Sequence, residues 1–493
     1  MDSTGTDLLR LGALELAALI RARQVSPVEV VRRHIARIEQ TAPTINALAV
    51  PRFEAALEEA ARAEQAVLRG DELGLLHGVP CTVKEGLGVR GMPKTTGSPL
   101  RRSWRAAADA TVVARVRAAG AIVVGLTNLS EMALWAESDN PVYGRTGNPY
   151  DPRRTAGGSS GGEAAIVAAG GSPFGIGTDG GGSIRLPAAY CGVFGHKPSS
   201  GTAPLTGHMP LDERFGSLPW AQAMARYFAP GPLARSARDL MPLLRIMAGP
   251  DGCDGNVTAR PLGDAAAFEF AGRRVLVCAE PDLGRAGRPS GDMAAAVRRA
   301  ARALETDGAV VEAWDDPLLR GAFDIWLGTV AGAGGPPMAV LLGDGQPLRP
   351  LAAMIGGWFG GPRHSTAALA TAAAERILAP SPARLHRFRQ AGETLLRRLE
   401  TALGTDGVLL MPVAVRPAPR HGCTLLRPFG CAAAALFNAL ECPATVAPVG
   451  LMPGGLPGAV QIVAARGADH ATIAGALALE RSLGGWTPPP ASS

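Results

Sequence analysis

No C-x-x-C pair occurs among the seven cysteines, and no His/Cys spacing suggests zinc. Most of the cysteines sit in apolar settings, such as Cys191 in "AAYCGVFG" and Cys278 in "RVLVCAE". They read as reduced core thiols of a cytoplasmic protein, and no metal is expected. No block of lysines and arginines with interleaved aromatics occurs either. The net charge of +6 is spread as isolated arginines, so no nucleic-acid partner is expected. The N-terminus carries Asp2, Asp7 and Glu15 and lacks a basic start followed by an apolar core, which argues against a secretory signal. No stretch of about 20 apolar residues is free of interruption, so no transmembrane segment is expected. Charged residues are few, at 19%, against 47% hydrophobic residues, the balance of a globular chain with a large core.

What is present alternates between helix and strand. Residues 10–40 read as helical, with a restart at Ser26 as N-cap and Pro27 at the first helical position. Residues 54–69 form another helix, ended by Gly70, and "GVPCTVKE" is a short strand that delivers Lys84. Asp109 caps the next helix, closed by Gly120 and followed by the strand "AIVVGL". Asn128 with Glu131 three residues later starts a further helix. "RRVLVCAE", "GDMAAAVRRAARALETDG" and "AVVEAW" make a strand–helix–strand unit. The pattern predicts an α/β fold with one large, mostly parallel mixed sheet covered by helices on both faces. We expect one domain over 1–493, with an N-terminal helical segment at 1–70 and the catalytic motifs within 75–205. Residues 203–235 and 320–365, rich in Gly, Pro, Trp and Met, read as long irregular segments lying over a site.

Two glycine-wrapped serines stand out: "AGGSSGGE" at 156–163 and "GTDGGGSIR" at 177–185. A serine hydroxyl is a poor nucleophile until a base takes its proton, and acyl hydrolysis also needs donors for the oxyanion. Gly180, Gly181 and Gly182 would leave their N–H groups open beside Ser183. The alternative is a tight turn in which Ser183 merely caps "SIRLPAAY". "GIGTDG" matches a dinucleotide fingerprint, but no Asp or Glu follows between Asp179 and Asp212. "GSSGG" matches a nucleophile elbow around Ser160, which would need a later acid and then a histidine such as His421 or His470. His77 and His196 have no obvious orienting acid and read as structural. Lysine is scarce, and Lys84 lies at an apolar strand end where desolvation depresses its pKa. The alternative for Lys84 is a surface lysine paired with Glu85.

Lys84 in "GVPCTVKE", Ser159 in "GGSSGGE" and Ser183 in "GTDGGGSIRLPAA" resemble, in order and spacing, the motifs of the amidase signature family of serine hydrolases. "TNLSEMALWAESDNPVYGRTGNPYDP", "FNALECPATVAPVG" and "GGLPGAVQIVA" extend the resemblance over nearly the whole chain. "FGHKPSSG" and the closing "RSLGGW" are most similar to the fatty-acid amide hydrolase branch. The resemblance implies the amidase signature fold, no cofactor, and a Ser–Ser–Lys triad of Lys84, Ser159 and Ser183 acting through an acyl-enzyme. It implies an oxyanion hole from Gly180, Gly181, Gly182 and Ser183, a cis peptide bond at the first serine, and support from Ser160, Asp179 and Arg185. Two positions depart from the family pattern. Gly180 replaces a bulkier residue, which suggests a wider acyl pocket, and Glu441 in "NALECPA" replaces a glycine. The expected substrate is a small-molecule amide, with ester or carbamate (urethane) cleavage alongside. Met132, Trp135, Trp326 and Trp358 suggest an apolar or aryl group. A monomer or homodimer is expected. A tRNA amidotransferase subunit is the alternative from another class, and an α/β-hydrolase with Ser160 as nucleophile is another.

Overall fold

The computed structural model describes residues 7–360 and 363–490. Eleven strands form its main sheet. In chain order they are β1 (Leu48–Pro51), β2 (Pro80–Lys84), β3 (Ile122–Thr127), β4 (Phe174–Asp179), β5 (Phe194–Lys197), β6 (Ala229–Ala234), β7 (Arg274–Val277), β8 (Val310–Ala313), β9 (Val408–Met411), β10 (Ala444–Leu451) and β11 (Pro457–Ala464). They lie side by side in the order β1-β3-β2-β4-β6-β5-β10-β11-β9-β7-β8. The mixed sheet of an α/β fold is therefore present, but the expectation that it is mostly parallel is corrected: four neighbouring pairs are parallel and six, including β1 on β3, are antiparallel. Parallel pairing holds on two wings, β3-β2-β4 and β9-β7-β8. Between the wings the pairing is antiparallel. The expected strand–helix–strand unit is present as β7, the helix Gly291–Thr306 and β8, and it lies at one edge of the sheet.

Both faces of the sheet are covered, and β3 shows how. Ile122 and Val124 pack into one buried cluster with Val31, Ile35 and Ile166, while Val123 packs into another with Leu16, Ile20 and Leu244, which Leu126 also joins after a register shift against β2. Successive strand side chains point to opposite faces, so a strand apolar at every position needs two covers.

The N-terminal helices are Ala13–Arg21, Pro27–Ile45 and Phe53–Arg69, with the Ser26 hydroxyl capping the second and Gly70 closing the third. Three local expectations are corrected. Asp109 does not cap the helix Thr111–Ala118; its carboxylate accepts from the Arg90 N–H at 2.7 Å and pairs with Arg117 at 3.0 Å. Glu131 opens only a single 3₁₀ turn, Glu131–Ala133, because its carboxylate accepts from the backbone of Ser365, a long-range bond, in place of a local capping box. Residues 320–365 are largely helical, at Ala322–Gly332, Met338–Leu342 and Pro350–Trp358, and 203–235 ends in β6. Gly and Pro there punctuate short elements.

Candidate active site

Strand β2 ends at Lys84, and its parallel neighbour β4 carries Thr178. Their register pairs Val83 with Ile176, which brings Lys84 beside the end of β4. The Lys84 Nζ lies 2.7 Å from Ser159 Oγ and 2.8 Å from Thr178 Oγ1. Lys84 and Ser159 are fully buried. Burial lowers the Lys84 pKa to about 7, against the opposing pull of the Asp179 and Glu163 charges. The alternative of a surface lysine paired with Glu85 is therefore corrected. Glu85 accepts from the N–H groups of Thr95 and Thr96 and from the Tyr143 hydroxyl at 2.9 Å. Glu163, like Asp179, is a buried carboxyl whose charge acts on this lysine. Burial pushes it up to about 8 while the Thr82 and Thr127 hydroxyls donate to it.

The two serine motifs meet through their backbones. The Ser160 N–H donates to the Ser183 carbonyl at 3.1 Å. Ser159 follows a cis peptide bond from Gly158. A Cβ at Gly158 would stand 2.4 Å from the Trp135 carbonyl, so only glycine fits this approach. The Ser138 hydroxyl shares its one hydrogen between the carbonyls of Gly157 and Ser159 and accepts from the Gly161 N–H, which ties the turn together.

Ser183 itself is only partly buried, at the turn between β4 and the helix Arg185–Cys191. Asp179 and Arg185 hold that turn in a fully buried pair at 2.9 Å. Burial alone would raise the Asp179 carboxyl, but the Arg185 charge outweighs it and holds the group well below its usual range. Arg185 continues to the Asn438 side-chain oxygen at 2.6 Å, and Asn438 donates back to the Asp179 carbonyl at 2.9 Å.

One expectation about the donors is corrected. The Gly182 N–H donates to Asp179 Oδ1 at 2.7 Å, so it is spent on the turn. Gly182 has a φ of +108°, which explains the glycine by backbone conformation. The N–H groups of Gly180, Gly181 and Ser183 have no partner among the described residues.

Around this turn the structure brings together side chains from distant segments. The Trp326 indole N–H donates to the Gly180 carbonyl at 2.8 Å. The Phe228 ring occupies the space that a side chain at Gly180 would take: a Cβ there would meet ring carbons at 2.3–2.7 Å. The register of β6 on β4 dictates this contact, because Ala229 opposes Asp179 and the next pair outward is Phe228 and Gly180. The wider pocket expected from Gly180 is thus filled by Phe228. Met132 is buried, with its N–H on the Thr96 carbonyl at 2.7 Å, and Trp135 donates its indole N–H to Thr424 Oγ1 at 2.7 Å. The side chain of Trp358 lies outside the described residues.

Ser160 is fully buried, and its hydroxyl donates to the Thr178 carbonyl at 3.3 Å. Neither His421 nor His470 bonds it. His421 lies against Glu137 and the Pro152 carbonyl, and His470 packs on Phe268. Three residues of the site escaped the sequence reading: Thr178, Phe228 and Asn438. Only Asn438 had a local signal, as the first residue of "NALECPA". In that motif Glu441 takes a φ of +60°, the left-handed conformation that a glycine adopts freely, and is held by Arg226 at 2.8 Å. Among the described residues no group of His, Cys, Asp and Glu is arranged to hold a metal ion, and no helix is long and apolar enough to cross a membrane.

The sequence matches the amidase family over residues 29–473. The chain belongs to that family. It is 40% identical to fatty-acid amide hydrolase 2-B of Danio rerio over 98% of this chain and 91% of that protein. Fatty-acid amide hydrolase 2 of Homo sapiens is 38% identical over the same shares. The crystal structure of a bacterial aryl acylamidase of the amidase signature family superposes with a TM-score of 0.80, 28% identical over 96% of both chains. The protein is an amide-hydrolysing enzyme of the amidase signature family.

Proposed function

We propose that the enzyme hydrolyses the C–N bond of carboxylic acid amides bearing apolar or aryl groups through Lys84, Ser159 and Ser183. The observation that carries this reading is the 2.7 Å approach of a wholly buried lysine to a wholly buried serine, behind a turn where a second serine is partly exposed. A lysine without water around it gives up its proton near neutral pH and becomes a base. Lys84 then takes the proton of Ser159 as Ser159 takes that of Ser183. The Ser183 oxygen attacks the carbonyl carbon, and the oxyanion is taken up by the unpartnered N–H groups at Gly180, Gly181 and Ser183. On collapse the C–N bond breaks, the proton returns through Ser159 to the departing amine, and the acyl group stays on Ser183. Water then cleaves that ester by the same relay. Asp179, Arg185 and Asn438 hold the turn, and the Ser160 N–H locks it to the first motif.

The apolar or aryl preference is supported by the side chains at the donor turn. Phe228 lies against Gly180, and Trp326 stands 3.3 Å from the position of a Gly181 Cβ. Phe323 packs on Trp326 and on Phe429, which extends the aromatic wall. Esters and carbamates present the same carbonyl and differ in leaving group, so they belong to the same substrate range. Ser183→Ala tests the assignment. It should abolish both turnover and labelling by a fluorophosphonate while leaving thermal unfolding unchanged. An adduct mapped to Ser160 would overturn it.

A further inference from the structure

His208 lies outside every sequence motif, yet it reaches the base. Its loop is stitched to the chain just beyond Lys84: Leu87 and His208 form a β-bridge, and the Gly88 N–H donates to the Gly207 carbonyl at 3.1 Å. Gly86 makes room, since a Cβ there would stand 3.1 Å from His208 Nε2. The ring is buried, with Nε2 3.1 Å from Thr178 Oγ1 and Nδ1 2.5 Å from the Met209 carbonyl oxygen.

These contacts fix the direction of each hydrogen bond. A carbonyl oxygen only accepts, so Nδ1 carries the hydrogen. A neutral ring has then a bare Nε2, which can only accept. Burial, with the Lys84 charge beside it, lowers the His208 pKa to about 3 and keeps the ring neutral. The Thr178 hydroxyl must therefore donate to His208, and its lone pairs are left facing Lys84. A neutral lysine amine has two hydrogens and one lone pair. With one hydrogen drawn to Thr178 Oγ1 at 2.8 Å, the lone pair is free for the hydroxyl hydrogen of Ser159 at 2.7 Å.

We propose that His208 is a positioning residue that sets the proton order of the base: acting through the Thr178 hydroxyl, it turns the lone pair of Lys84 onto Ser159. The proposal rests on the reading of Lys84 as base. During the step the Ser159 O–H bond breaks and a third N–H forms on Lys84, and the reverse transfer supplies the leaving amine. Without an acceptor at His208, the Thr178 hydroxyl can rotate its hydrogen onto the Lys84 lone pair and block the transfer. The arrangement also ties the loop of Gly207 and His208 to the base.

The test uses an aryl amide and the matching aryl ester as probes. His208→Phe keeps an aromatic ring, a larger one, and removes the acceptor for Thr178 along with the donor to Met209. It should lower amide kcat roughly thirtyfold, less than the ~10²–10⁴ that positioned proton transfer contributes because the base itself is kept, with KM little changed and ester turnover less affected. His208→Gln, whose amide oxygen accepts from Thr178, should restore most of the loss. In a Thr178→Val background, His208→Phe should have almost no further effect, because the path runs through that hydroxyl. Ring ¹⁵N shifts of His208 at neutral pH should report a protonated Nδ1 and a bare Nε2. Losses that multiply in the double variant, equal losses for ester and amide, or a protonated Nε2 would each overturn the proposal. If His208→Phe does not fold, His208→Gln and the ring shifts decide. The underlying reading fails separately, if Lys84→Ala leaves the amide-to-ester ratio unchanged. If Lys84→Ala collapses that ratio and His208→Phe does not move it, only the role of His208 is lost.

Discussion

The indole N–H of Trp326 donates to the carbonyl oxygen of Gly180 at 2.8 Å. A peptide unit is planar, and its C=O and the following N–H point in opposite directions. Anchoring the Gly180 carbonyl therefore aims the Gly181 N–H, one of the donors left free at the turn. Trp326 comes from the helix Ala322–Gly332, more than a hundred residues downstream. Trp326→Phe keeps the ring and removes the anchor. We expect kcat for amides to fall about tenfold, less than the ~10²–10³ that follows loss of an oxyanion donor itself, with a smaller change in KM. Steady-state kinetics on one aryl amide checks this, and an unchanged kcat would show that the turn is rigid without Trp326.

Gly180 and Phe228 should behave as one unit. A methyl group at 180 would have to displace the Phe228 ring, because the nearest ring carbon stands 2.3 Å from the Cβ position. Gly180→Ala should lose about 1–3 kcal/mol of stability, typical of overpacking, together with activity. Phe228→Ala in the same chain should recover much of both. Phe228→Ala alone should open the space that glycine leaves, and raise kcat/KM for bulky aryl carbamates relative to slim primary amides. Thermal melts and a two-substrate comparison of all three variants test the coupling. Strictly additive losses would separate the two residues.

The parts legible in the sequence were those written in local signals. Ser26 before Pro27 marked a helix start, Gly70 a helix end, and the apolar stretch before Lys84 a buried strand. The glycines at 157–158 and 180–182 marked the two serine turns. Long-range pairing was not legible. Phe228 faces Gly180 only because β6 runs antiparallel to β4 in one register, and nothing near residue 228 announces that. The antiparallel centre of the sheet escaped for the same reason: alternation of helix and strand specifies elements, and the direction of a neighbour is set by connections that skip across the sheet. Gly182 was misread because glycine can serve an open N–H or a positive φ, and only the Asp179 bond separates the two.

The rate should follow the protonation of Lys84. Its pKa is lowered to about 7, so at pH 6 most of the enzyme carries a charged lysine that cannot accept a proton. Amide kcat/KM should therefore rise with pH through about 7 and level off above it. Lys84→Ala should remove this limb and reduce amide turnover roughly a hundredfold more than ester turnover, since an amine leaving group needs the returned proton. A pH profile on matched substrates is the measurement. A limb that persists near pH 7 in Lys84→Ala would assign it to another group, and Glu163, raised to about 8, would be examined next.

His34 governs a stability effect away from the site. It is fully buried in the helix Pro27–Ile45, its Nδ1–H donates to the Val30 carbonyl at 2.8 Å, and its Nε2 has no partner. Burial, with the nearby Arg235 charge, lowers its pKa to about 3. The unfolded chain binds a proton at this position below about pH 6.5 and the folded chain does not. The sign follows: the contribution is complete above about pH 6.5 and is lost progressively as pH falls toward 3, at about 1.4 kcal/mol per pH unit. His34→Leu removes both the orphaned nitrogen and the proton linkage. Between pH 6.5 and 4.5 the melting temperature of the variant should fall less steeply than that of the parent, while amide turnover at pH 8 stays the same. Parallel slopes for the two proteins would mean that the acid sensitivity lies elsewhere, with the other buried rings, His208, lowered to about 3, and His196, also lowered by burial, the next to replace.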